Sequence, residues 1–233
     1  MIGAFFEGLD EIMKNYEAYL PCTPKPFELT PVAHRAFREA CGLELPILTP
    51  EQINLFLQAT TAFQGSKNYS FNTGLFLSRL MQDSHKAGHS KFDLDTSALD
   101  KQVEYIGYDL SGTEKCPVQL LIRNNAGYGL CEHARYVKVY ARRVGDWCGM
   151  NAQDLTVIAE KVGYGCGDHS MCMTVYADEV GNYCGFDSCR MTVHTGKIGE
   201  NYGCGEEEIW KFTLKERSLR MMAKLKRALA NGL

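Results

Sequence analysis

Residues 162–172 read VGYGCGDHSMC and set Cys166, His169 and Cys172 at the spacing CxxHxxC. Two thiols and an imidazole within one short stretch are what a zinc ion takes up, since thiolate and imidazole suit it. Alone, the stretch reads as a metal site. Its surroundings change that reading, because the same residue types return at a fixed interval on either side.

Setting each unit to begin at Val-Gly or its equivalent gives AGYGLCEHARYVKVYARR from 126, VGDWCGMNAQDLTVIAEK from 144, VGYGCGDHSMCMTVYADE from 162 and VGNYCGFDSCRMTVHTGK from 180, each of eighteen residues. A worn copy, IGENYGCGEEEIWKFT, starts at 198, and a looser one, IGYDLSGTEKCPVQLLIRNN, at 106. Eighteen residues are too few for a helix-pair repeat, and TVIA, TVYA and TVHT are β-branched and aromatic as strands are. The fitting architecture is a parallel β-solenoid, in which no coil buries its apolar side alone and equivalent residues stack in ladders about 4.8 Å apart.

The columns assign inside and outside. Val139, Val157, Val175 and Val193 form one apolar ladder, with Val137, Leu155, Met173 and Met191 two residues earlier and Ala141, Ala159 and Ala177 two later. That period of two points them inward. Tyr140, Ile158, Tyr176 and His194 then face out. Gly145, Gly163 and Gly181, with Gly127 and Gly199, mark one corner where the backbone turns with positive φ or runs too close to its neighbour for a Cβ.

The CxxHxxC is thus three columns crossing one coil. Cys166 belongs with Cys148 and Cys184, a ladder that reads either as a thiolate row for soft metals or, more in keeping with cysteine's burial preference, as small apolar packing. His169 belongs to the eighth position with His133, Asn151 and Asp187, an outward polar row in which Glu132 and Asp168 precede the histidines. His133, His169 and Asp187 are the candidate ligands for zinc. Two coils, roughly 9.6 Å, separate the histidines, so one ion could join these residues only across a subunit contact. His85 and His89, four apart in SHKAGH, fit a solvated last helical turn better than a ligand pair.

The unit VGDWCG followed by a short arm and a TVIA-like strand resembles the glycine-rich repeat of the C-terminal domain of the glutamate synthase large subunit, shared with the C subunit of formylmethanofuran dehydrogenase. The resemblance covers residues 105 to 213 at most. It implies a right-handed parallel β-helix used as scaffold between catalytic parts, and carries over no catalytic residues. Cysteine where those families place an aliphatic residue, and the missing Gly-Gly before the strand, are departures. A looser resemblance to archaeal proteins with cysteine-bearing repeats brings no function with it.

The flanks have helical periodicity. Phe5, Leu9, Ile12, Met13, Tyr16 and Leu20 share one face over 4–20; Thr30-Pro31 and Thr49-Pro50 open helices over 31–41 and 50–63, the second with a capping box to Gln52; a further helix spans 71–87 and stops at Gly88. The tail from 214 to 233 is helical, with Leu214, Ser218, Met221, Leu225 and Leu229 on one stripe. The expected fold is therefore α+β: a helical N-terminal domain over 1–98, a parallel β-helix over 99–213, and a basic amphipathic helix over 214–233 that caps the solenoid. Tyr128, Trp147, Tyr164 and Tyr183 crowd the glycine corner and are expected to receive the N-terminal helices.

The net charge is −3, but Lys215, Arg217, Arg220, Lys224, Lys226 and Arg227 against Glu216 make the tail +5 and leave −8 for the rest. The tail is a second candidate surface, for nucleic acid, although docking on the acidic body fits it better. No run approaches the apolar length of a membrane span and the N-terminus lacks a signal-peptide pattern, so a cytoplasmic setting with ten reduced cysteines is expected. GxSxG, P-loop, HExxH and Rossmann fingerprints are all missing. A scaffold or binding module serving a protein partner or sister subunit is the leading expectation, ahead of a metal-dependent enzyme.

Overall fold

The computed structural model describes residues 2–21, 36–37, 40, 42–203, 210–212 and 216–231. Helix α1 (Ile2–Tyr19) follows the expected stripe, with Ile12 and Tyr16 fully buried and Leu9 and Met13 packed beside them. Tyr16 is the hub of the helical layer: its ring stands edge-on to Phe56 and Phe63 at 5.2 and 5.6 Å, and its hydroxyl shares a 2.6 Å hydrogen bond with Thr73. The helix expected over 31–41 lies outside the described residues except for Ala36, Phe37 and Ala40, all buried.

Helix α2 (Pro50–Ala59) opens on the expected capping box, Gln52 N–H donating to Thr49 Oγ1 at 3.3 Å and Thr49 N–H to Gln52 Oε1 at 2.9 Å. A 3-10 turn, Thr60–Phe63, extends it. Helix α3 (Tyr69–Lys86) ends before Gly88, whose φ of +104° ordinary residues avoid. Its middle carries Gly74, where a Cβ would strike the carbonyl of Glu104. A side chain there would push the helix off the first coil, so this glycine sets the contact between helical layer and solenoid.

Seven parallel strands form one sheet in chain order: β1 (Lys91–Leu94), β2 (Val118–Ala126), β3 (Arg135–Val144), β4 (Gln153–Val162), β5 (Thr174–Val180), β6 (Thr192–Ile198) and β7 (Trp210–Phe212). The register is the eighteen-residue one: Val139 pairs with Val157, that with Val175, that with Val193, and Ala141, Ala159 and Ala177 align beside them. The inward columns are buried as their period requires. Because β1 pairs with β2, the sheet starts ahead of residue 99. One apolar core runs without a break from Ile12 through Phe76 and Phe92 to Val193.

The glycine corner resolves in favour of crowding. A Cβ on Gly145 would lie 2.6 Å from the carbonyl oxygen of Gly127 in the coil before, and one on Gly181 2.7 Å from that of Gly163. Left-handed backbone sits elsewhere, at the fourth, sixth, eighth and eleventh positions of the coils.

Helix α4 (Glu216–Asn231) does not sit over the open end of the stack. It lies across the outer face of the sheet against β2 to β5, where Leu225 is buried among Leu121, Tyr140, Ile158 and Tyr176, with Met221, Ala228 and Leu229 alongside. The apolar outward row is what selects this place, since leaving it in water would forgo about 25 cal/mol per Å² of burial. Among the described residues no helix is long and apolar enough to cross a membrane.

Candidate functional site

The eighth-position column owes its composition to backbone geometry. His133, Asn151, His169 and Asp187 have φ of +58°, +55°, +53° and +47°. Asparagine, aspartate and histidine are the non-glycine residues most enriched in this left-handed region. Each corner is held by its own N–H donating to the coil that follows: His133 to Met150 O, Asn151 to Asp168 O and His169 to Phe186 O, all at 2.9 Å. The residue types that suggested ligands are those that tolerate the turn.

The expected ligand trio does not converge. His169 is bracketed by carboxylates, Nδ1 at 2.8 Å from Asp168 Oδ1 and Nε2 at 3.8 Å from Asp187 Oδ2. His133, two coils away, instead faces Glu132, Nε2 to Oε1 at 3.5 Å, and stands edge-on to Tyr108 at 5.6 Å. Among the described residues no three His, Cys, Asp or Glu side chains gather as a metal site. Zinc between His133, His169 and Asp187 therefore has no support within one chain.

The cysteine ladder is core. Cys148, Cys166 and Cys184 are fully buried, and thiol-to-thiol hydrogen bonding with burial holds Cys166 and Cys184 well above the usual thiol range. Cys131 stands one column over, in the left-handed slot that Gly149, Gly167 and Gly185 fill in later coils, and burial pushes it to about 12. Thiols so protonated are poor nucleophiles and poor ligands. Cys172, at the far end of the opening motif, is half-buried at a separate corner.

Glu132, read from sequence as part of an outward polar row, is completely buried. Neither carboxyl oxygen has a hydrogen-bond donor, and burial raises its pKa to about 7. It sits where the first coils meet the helical layer, near Tyr105, Tyr108 and Tyr128, whose phenols are likewise pushed up by burial. Asp168, its counterpart two coils on, is buried too but bonds to His169. An acidic residue directly before a histidine at that corner was the available signal.

The aromatic corner divides. Tyr128 packs on Tyr105 at 5.5 Å and joins Phe37, Phe71 and Leu75, so the helical layer covers it as expected. Among the described residues the expected cover stops there. Trp147, Tyr164 and Tyr183 continue the rank with ring centroids 5.3 and 5.1 Å apart, and Tyr164 and Tyr183 are 38% and 36% exposed. Asp146 braces this corner by accepting from the Tyr164 N–H at 2.8 Å, and Asn182 does the same for Glu200 at 3.0 Å.

Two other surfaces stand out. A groove of about 590 Å³ between α2, β1 and β2 is lined by Glu51, Asn54, Lys91, Asp93 and Arg123. Arg123 spends its fork on Asp93, at 2.8 and 2.6 Å, so that guanidinium is already engaged. The outer side of α4 exposes Lys224, Lys226 and Arg227, and none of the three forms an ion pair among the described residues. Comparison with family models, curated proteins and solved structures gave no match, so function is argued from this geometry.

Proposed function

We propose that this chain is a non-catalytic interaction module, a cytoplasmic scaffold whose solenoid presents a fixed ladder of side chains to a protein partner or sister subunit. The observation that carries the reading is the contiguous rank Trp147, Tyr164 and Tyr183, with Trp147 half-buried and both tyrosines exposed. Aromatic residues held rigidly at coil spacing give large contact area at little cost in conformational entropy, and such residues are enriched at the centres of protein interfaces. The resemblance to scaffolding β-helices agrees with it.

The test compares the full chain with a Tyr164→Ser/Tyr183→Ser variant of matched circular dichroism. Light scattering after size exclusion reads self-association, and affinity enrichment with cross-linking reads other proteins. The wild type is expected to hold a partner, or itself, through residues 147–183, and the variant to lose it at least tenfold. A monomer that retains no protein, or a partner set unchanged in the variant, would sink the reading.

A second reading, nucleic-acid binding through 214–233, is favoured by one observation. Helix α4 is held on the sheet by apolar side chains, so Lys224, Lys226 and Arg227 remain available to phosphates. It predicts affinity for a generic duplex or single strand that falls steeply between 50 and 200 mM salt, with a shallower slope in a Lys224→Ser/Arg227→Ser variant; binding indifferent to salt dismisses it.

A further inference from the structure

Cys172 and Cys189 belong to neither the core ladder nor the histidine column. They stand on successive coils, Cys172 at the eleventh position of one and Cys189 at the tenth of the next, and the Cys172 N–H donates to the Cys189 carbonyl at 2.9 Å. One such bond keeps two Cα atoms within roughly 5–6.5 Å, inside the span a disulfide bridges. Both are reduced and half-buried, whereas Cys131, Cys148, Cys166 and Cys184 are sealed in the core. The same diagonal holds Tyr136 with Gln153 and Asp154 with Met171 in the earlier coils, so among the described residues this corner has a thiol pair at one step of the array.

The place of that step in the fold gives it a use. Helix α4 braces β2 to β5, and Cys172 lies just before β5 while Cys189 lies just before β6. A covalent link here would tie the last coil of that braced set to the coil that follows it.

We propose that Cys172 and Cys189 form a reversible redox modification site, closing to an inter-coil disulfide by exchange with a small disulfide such as oxidised glutathione. One cysteine thiolate attacks a sulfur of oxidised glutathione, forming a mixed disulfide and expelling one glutathione thiolate. The second cysteine thiolate attacks the protein-bound sulfur of that mixed disulfide, forming the Cys172–Cys189 bond and expelling the second glutathione. The protein gives up two electrons and two protons, and these leave on two molecules of reduced glutathione.

The experiment incubates the full-length reduced chain with oxidised glutathione, traps remaining thiols with iodoacetamide and maps peptides without reduction. The expected result is a linked peptide containing Cys172 and Cys189, reversed by dithiothreitol, with the core cysteines alkylated only after unfolding. Amide exchange across Thr192–Ile198 is expected to slow several-fold in the linked form. A Cys172→Ser variant should stop at a glutathione adduct on Cys189; if that variant does not fold, the wild-type map decides. Stable glutathione adducts on both cysteines with no link between them, or a link from either one to another cysteine, would overturn the proposal.

Discussion

At the scale of single residues, Glu132 makes the most direct claim on solution behaviour. Its carboxyl is buried without a donor and its pKa is raised from 4.5 to about 7. The folded chain therefore holds this proton more tightly than the unfolded chain does. Stability from this group is complete below about pH 4.5, falls as pH rises to about 7, and is level beyond, a total on the order of 3 kcal/mol. Replacing Glu132 by Gln is expected to flatten urea-derived stability across that window and to leave the variant more stable than wild type at pH 8. An unchanged slope would place the carboxyl in contact with solvent or a donor. Little of this was legible in sequence, because the seventh position also holds Met150 and Phe186, and the surroundings of Glu132 include Tyr105 and Tyr108 from outside its own coil. The cysteine ladder was legible, since size and column agree. The histidine column misled, because tolerance of left-handed backbone and capacity for metal select the same residue types.

At the scale of elements, strands and helices followed from periodicity, while the seat of α4 did not. A stripe of Met221, Leu225 and Leu229 says that a helix must dock, and the outward row of Tyr140, Ile158 and Tyr176 says that a face must be covered. Both halves stood in the sequence; their pairing needed the distance between them. Leu225→Ala is expected to cost about 2–4 kcal/mol in denaturant titration and to speed amide exchange throughout α4. Fast exchange of α4 already in the wild type would mean that the helix is only loosely seated. The aromatic corner failed for a related reason. The sequence cannot say how far along the stack the N-terminal helices reach, and among the described residues they pack on Tyr128 and not on Trp147.

At the scale of the whole molecule, the change from helical periodicity to the repeat near residue 98 suggested two domains, yet the core passes through it from Tyr16 and Phe76 to Phe92 and Leu120. Shared burial of this kind couples the two parts. Far-ultraviolet circular dichroism and tryptophan fluorescence are expected to report one coincident unfolding transition, and midpoints that separate would restore two independent units.

The corner hydrogen bonds run both ways along the stack. The left-handed residues Trp147, His169 and Cys172 donate to the coil that follows, to Tyr164, Phe186 and Cys189, while Gly149, Gly167 and Gly185 donate to the coil before, to Leu130, Cys148 and Cys166. A coil is therefore locked from both sides. During synthesis the newest coil holds only its backward bonds until its successor arrives. Cutting the chain back from the C-terminus undoes more than it removes, because the last surviving coil loses the acceptors of its forward bonds.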